Sequence, residues 1–133
     1  MQQLINYKFT IITLGIIFFL SLSSSESINK SWLLDFKYAD KLAHMGMYGF
    51  LTLVYLMERT AFLRSSQATR KIRWFYVWWI VLIGAFIEVI QPAFAGREKD
   101  LWDFMANTTG ILLAYLLFFI IKKNYNFNKT FSS

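Results

Sequence analysis

Eight polar residues stand at or just inside the ends of long apolar segments, where a bilayer tolerates such groups poorly. Glu88 is the sharpest case, because it interrupts the apolar run WWIVLIGAFIEVIQP and would cost about 2.5–3.5 kcal/mol at the centre of a membrane helix. Something in the fold must therefore compensate its charge. The full set supplies carboxylates, cations, amides and one imidazole: Asp40, Lys41, His44, Glu88, Gln91, Arg97, Asp103 and Asn107.

One use of this set is to bind a ligand. Lys41 and Arg97 would hold a phosphate or a carboxylate, while neighbouring amides and the imidazole would make hydrogen bonds. Asn107 could instead hydrogen-bond across a helix pair, which is the common use of a buried Asn in membranes. The residues expected to bind the ligand are Asp40, Lys41, Gln91, Arg97 and Asn107.

The second use is catalysis. His44 and Glu88 would form an acid/base pair, and Asp103 would orient the imidazole or help to hold a cation. A zinc site made of these three residues lacks the short spacing of known zinc motifs, so we expect no metal or other cofactor. The chain has no cysteine, and no Ser or Thr lies beside His44 as a nucleophile. His44 could equally be an interfacial histidine without a ligand.

Structural roles compete with both uses. Asp40 and Asp103 are each well placed to cap a helix or to stand in its first turn, where a carboxylate satisfies free backbone N–H groups. Glu88 could form an ion pair with Arg97 or Lys41 that only holds helices together. The case for function comes from the coincidence of all these groups at one depth.

Composition limits the class of protein. The 133 residues are 56% hydrophobic and 20% aromatic, which is too apolar for a small soluble domain with a polar exterior. The net charge of +6 comes mostly from short basic segments that flank apolar runs, so it indicates membrane topology and no nucleic-acid partner. The sequence predicts one transmembrane domain over residues 1–133.

The apolar segments predict a bundle of about four transmembrane helices, at residues 7–22, 40–58, 74–91 and 103–121. Pro92 should stop the third helix, and the polar tail after residue 123 should be frayed. The first segment also resembles a signal peptide, with a short apolar core followed by serines. We favour its retention as a helix.

Helix periodicity predicts which faces meet. On the second helix Asp40 and His44 share a stripe, and Gly46 and Gly49 thin the neighbouring surface so that another helix can approach. A packing stripe of small residues on the fourth helix merges into a polar end, and it comprises Asp103, Ala106, Asn107, Gly110 and Ala114.

The basic residues set the orientation. The connection at residues 59–73 carries five Lys or Arg residues and no acid, so it should be cytoplasmic. Both termini are then cytoplasmic, with nine basic residues inside and five outside. The polar helix ends consequently lie together on the outer face, where they would form a polar pocket open to the outside.

These residues also carry a family resemblance. The segment DKLAHMGMYGFL, the segment IGAFIEVIQ and the later Arg97, Asp103, Asn107 and Gly110 resemble the signature of VanZ-like membrane proteins. The resemblance implies a small four-helix protein of the bacterial cell membrane, linked through the founding member of the family to low-level teicoplanin resistance.

Two expectations about partners follow. The ligand should be a membrane lipid, or a lipid-linked or peptidoglycan-related molecule of the cell envelope. An accessory subunit that packs on a larger membrane protein complex stays open as an alternative.

Overall fold

The computed structural model describes residues 7–23, 39–60, 73–95 and 100–131. These residues form four α-helices and no β-strand, which confirms the all-α class. A single 3₁₀ turn, Trp74–Val77, leads directly into the third helix. In chain order the helices are α1 (Lys8–Leu22), α2 (Ala39–Arg59), α3 (Trp78–Ala95) and α4 (Leu101–Phe131).

Two predicted helix ends are wrong. α3 does not stop at Pro92 but continues to Ala95. Proline removes one backbone hydrogen bond to the carbonyl four residues earlier, and this loss near a helix end leaves the remaining turn intact. α4 continues past residue 121 to Phe131, because neither glycine nor proline interrupts the sequence between Ile111 and that end.

The main helix contact joins α2 to α4, which pack along each other more extensively than any other pair. A Cβ atom on Gly49 would lie 3.3 Å from the carbonyl oxygen of Gly110, and a Cβ on Gly110 would overlap the backbone carbonyl of Met45. Only glycine therefore fits at position 110, and position 49 is tight for any larger residue. Gly46 has open space around it, contrary to expectation, because the contact follows Met45 and Gly49, one turn apart.

The distribution of polarity is inverted relative to a soluble protein. Large apolar side chains cover the outside, such as Phe19 at 70% exposure and Phe86 at 60%. The buried residues include several polar groups that a water-soluble core would rarely collect. The buried polar residues include His44, Thr52, Glu88, Gln91, Asp103 and Asn107.

Two helical segments are long and apolar enough to cross a membrane: Trp74–Phe94 and Leu101–Asn124. The shorter of them has 21 residues and is about 31 Å long, close to the hydrocarbon thickness of a bilayer. α1 is apolar but shorter, with 15 residues. α2 is less apolar, because its first turns carry three of the polar residues singled out in the sequence.

α1 is attached to the bundle at both of its ends. The Glu58 carboxylate accepts hydrogen bonds from the backbone N–H groups of Phe9 and Thr10, at 3.0 and 2.9 Å, and from the Thr10 hydroxyl at 2.6 Å. A carboxylate at this helix N-terminus satisfies donors that have no partner within the helix. At the other end, Gln91 Nε2 donates to the carbonyl of Ser21 at 3.1 Å. α1 thus runs antiparallel to α2.

Candidate functional site

The starts of α2 and α4 meet the end of α3 at one end of the bundle. Lys41 links two of these helices, because its Nζ donates to Asp100 Oδ2 at 2.6 Å and to Asp103 Oδ1 at 2.7 Å. Asp40 Oδ2 lies 3.9 Å from the same ammonium group. The structure therefore brings together, at this end, most of the polar residues that the sequence singled out.

Asp100, which the sequence analysis did not single out, caps α4, while Asp103 stands in the first turn, one of the two positions expected for it. Its Oδ1 accepts the backbone N–H of Trp102 at 2.8 Å, while its Oδ2 accepts from Lys41. Asp103 already lies inside the first turn, with its own N–H bonded to the Asp100 carbonyl at 3.1 Å. An acid directly before an apolar helix is an N-cap signal, so the sequence did contain this information.

His44 takes part in a series of hydrogen bonds that joins three helices. The imidazole is only 2% exposed, and its Nδ1 lies 3.0 Å from Asn107 Oδ1. Asn107 Nδ2 donates to Glu88 Oε1 at 2.8 Å. The amide thus turns its NH₂ to Glu88 and its oxygen to His44, which suits a carboxylate acceptor.

The orientation of the Asn107 amide fixes which nitrogen of the imidazole donates the hydrogen bond. Because Asn107 offers an oxygen, Nδ1 of His44 must carry the proton and donate it. In the neutral ring Nε2 then holds a lone pair. Nε2 faces Asp40 Oδ1 and Asp103 Oδ2, each 3.9 Å away, which is beyond hydrogen-bond distance.

One atom from each of Asp40, His44 and Asp103 lies within 4.8 Å of the other two, an arrangement that could hold a metal ion. This set differs from the zinc set considered from sequence, which had Glu88 in the place of Asp40. Glu88 lies on the Nδ1 side of the ring, 3.5 Å from that nitrogen, and so cannot share an ion with Nε2.

Two residues expected to bind a ligand have other contacts. Lys41 is held between carboxylates, and Gln91 is 1% exposed and bonded to the backbone of α1. Both therefore connect helices. Of the two cations considered as partners of Glu88, Lys41 instead forms its ion pairs with Asp40, Asp100 and Asp103. Arg97 lies outside the described residues.

Tyr48 also borders this region and was not proposed from sequence as a site residue. It is completely buried one turn after His44, and its ring packs on Gly84, where a Cβ would lie 3.1 Å from Tyr48 Cε1. Among the described residues neither the Tyr48 hydroxyl nor the Ser21 hydroxyl has a hydrogen-bond partner. The spacing of four residues between His44 and Tyr48 could have placed Tyr48 on the same helix face as His44.

The fold and this cluster define a class: a small all-helical protein with membrane-length apolar helices and a buried polar site at one end of the bundle. The family described as VanZ/LLP1 matches residues 6–122, and the chain therefore belongs to that family. The resemblance found from the motifs is thereby confirmed. No curated protein and no solved structure matches the chain significantly.

Proposed function

We propose that this protein recognises the polar head of a lipid or lipid-linked molecule of the bacterial cell envelope. The observation that carries the proposal is the arrangement around His44, a buried imidazole at one end of an otherwise apolar bundle. Its Nε2 faces Asp40 and Asp103 and makes no hydrogen bond to any described residue. Charged groups are costly in a membrane and are concentrated where a polar ligand or ion is handled.

The site faces the outside of the cell in this proposal. The basic connection at residues 59–73 joins the opposite ends of α2 and α3, and such segments stay in the cytoplasm. All four helices cross the membrane, with both termini in the cytoplasm. α2 tolerates its charged first turns because they lie at the level of the head groups and are paired with α4.

The rim of the site indicates the chemistry of the ligand. The side chains of Asp40 and Asp100 are 44% and 36% exposed, whereas Lys41 is 30% exposed and already bonded to carboxylates. These acids accept hydrogen bonds, so they favour a head group with hydroxyl or ammonium donors. Lipid-linked sugars and amino-bearing peptides of peptidoglycan precursors have such donors.

Apolar residues beside the site favour an amphiphilic ligand over a free sugar or peptide. Phe94, Leu101 and Trp102 are 70%, 71% and 65% exposed and lie at the ends of α3 and α4 that carry the site. An acyl or polyprenyl chain can pack along these side chains while the head group contacts the acids. Recognition of a peptidoglycan precursor would also connect the protein to glycopeptide resistance, as the family resemblance implies.

A specific observation favours a second function, an enzyme. The Glu88–Asn107–His44 chain orients the imidazole with Nε2 as the basic nitrogen, in the way that the third member of a catalytic triad orients its histidine. His44 would then act as a general base on a water molecule or on a ligand hydroxyl. The described residues place no serine hydroxyl or other nucleophile against Nε2.

Substitution of His44 separates the two functions. For a binding protein, His44→Gln should weaken ligand affinity by about 1–2 kcal/mol, the scale of one hydrogen bond, because an amide keeps a donor and an acceptor. For an enzyme, the same variant should lose about 10²–10⁴ in rate with nearly unchanged binding. The measurements are lipid retention by the purified protein and teicoplanin tolerance of cells that express it. Unchanged affinity together with complete loss of tolerance contradicts the binding function.

A further inference from the structure

We infer that Asp40, His44 and Asp103 bind a divalent transition-metal ion at the outer end of the bundle. The argument starts with His44, whose Nδ1–H is occupied by Asn107 and whose Nε2 makes no hydrogen bond within the described part of the chain. Two carboxylate oxygens lie on the side of the ring that carries Nε2. One nitrogen and two oxygen donors grouped in this way can coordinate a cation placed between them.

The distances are slightly longer than those around a bound ion. Adjacent ligand atoms at about 2.0–2.2 Å from a metal lie roughly 2.8–3.6 Å apart in octahedral or tetrahedral geometry. Nε2 of His44 is 3.9 Å from Asp40 Oδ1 and 3.9 Å from Asp103 Oδ2. The three donor atoms all fall within 4.8 Å of one another. Both pairs must close by a few tenths of an ångström when the ion binds, and Asp40, on the half-exposed side of the site, has the most room to move.

Two of the three ligands are already oriented by their neighbours. Lys41 holds Asp103 through Oδ1 at 2.7 Å, and Asp103 Oδ2 lies 3.9 Å from His44 Nε2. Asn107 and Glu88 hold the imidazole from its far side. Outer partners of this kind are typical of metal sites, where a ligating histidine donates its other N–H to a carbonyl or carboxylate. Asp103 and His44 thus already have the hydrogen-bond partners that metal ligands typically have.

The donor set selects the kind of ion. One imidazole and two carboxylates suit Zn²⁺ or Mn²⁺, and three protein ligands leave at least one coordination position open. That position lies toward the exposed rim of Asp40 and Asp100. An oxygen atom of the head group would occupy it, and this last step rests on the proposed function, whereas the ion site rests on geometry alone.

The test uses the full-length protein without an affinity tag, in detergent micelles and after treatment with a chelator. Calorimetric titration with Zn²⁺ should give one site per chain. Asp40→Asn, Asp103→Asn and His44→Gln should each weaken binding at least 10-fold. Glu58→Gln is the matched control at the opposite end, and it should leave the affinity within about 3-fold. Absence of a saturable single site, or equal affinity in all variants, overturns the inference.

A second measurement needs no variant. The chain contains one histidine and no cysteine, so any imidazole signal comes from His44. Pulsed electron paramagnetic resonance of the Mn²⁺-loaded wild-type protein should show modulation from a coordinated nitrogen, and its absence contradicts the site. Both measurements are made without lipid. Failure of metal binding is therefore distinct from failure of ligand recognition, which lipid retention tests separately.

Discussion

His44 is held in one tautomer by residues from two other helices. This constraint decides the chemistry of Nε2, the ring nitrogen that does not contact Asn107. Asn107 can present its oxygen to the ring only because its NH₂ group is bonded to Glu88. Glu88 thus affects Nε2 through the hydrogen bonds of Asn107 and His44, without contacting that atom. A carboxylate that looked costly in the apolar run is used to orient the imidazole.

Glu88→Gln tests this relay. The new amide can present its own NH₂ to Asn107, which then rotates and offers NH₂ to His44 in turn. The proton of the neutral ring should consequently move from Nδ1 to Nε2. Nitrogen-15 NMR of the single histidine in the metal-free protein should report this change. Glu58→Gln, the same substitution at the far end of the bundle, should leave the Nδ1–H tautomer in place; a wild-type ring protonated at Nε2 contradicts the relay.

Sequence reasoning placed His44, Glu88 and Asn107 at one end of the bundle, as the structure does, but it did not give the contacts of Lys41 or single out Asp100. The depth of His44, Glu88 and Asn107 follows from helix spacing and topology, which a sequence does specify. The partner of Lys41 depends on the rotation of α2 about its axis and on where α4 begins. Asp100 became the cap because α4 starts at Leu101, and a shift of that size cannot be read from hydropathy.

At the scale of the helices, the close contact of α2 with α4 carries the site. Gly110→Ala should destabilise the protein by about 1–3 kcal/mol, because the new methyl group overlaps the backbone carbonyl of Met45 and the helices must separate. Thermal or denaturant unfolding in micelles measures the loss. Gly46→Ala is the control, since open space surrounds that residue and alanine favours a helix. Equal stability of both variants would argue against a tight α2–α4 contact.

The helices themselves were largely predictable, whereas their ends were not. Long apolar runs identified all four elements, since a run of that length has no stable alternative to a helix in lipid. Pro92 was read as a stop, yet α3 continues for one further turn because only a single backbone bond is lost. The attachment of α1 through Glu58 was also missed, since hydropathy carries no information about which acid meets which helix end.

At the scale of the whole molecule, the orientation in the membrane decides which compartment supplies the ligand. The chain has no cysteine, so Ser66→Cys and Ala95→Cys each introduce a single label site. An impermeant thiol reagent added to intact cells should label the cysteine at position 95 and not the one at position 66. The reverse pattern would move the site to the cytoplasm and exclude an outer-leaflet ligand. Labelling of both after permeabilisation shows that each variant is present.

Native mass spectrometry of the gently extracted protein tests the recognition of an envelope lipid most directly. The wild-type protein should retain a lipid-linked sugar or peptide. A variant that combines Asp40→Asn with Asp100→Asn should retain at least 10-fold less of this lipid, because both exposed carboxylates of the rim are altered. Glu58→Gln should retain the wild-type amount. Equal retention by all three proteins, or only bulk phospholipid in each, would contradict recognition at this site.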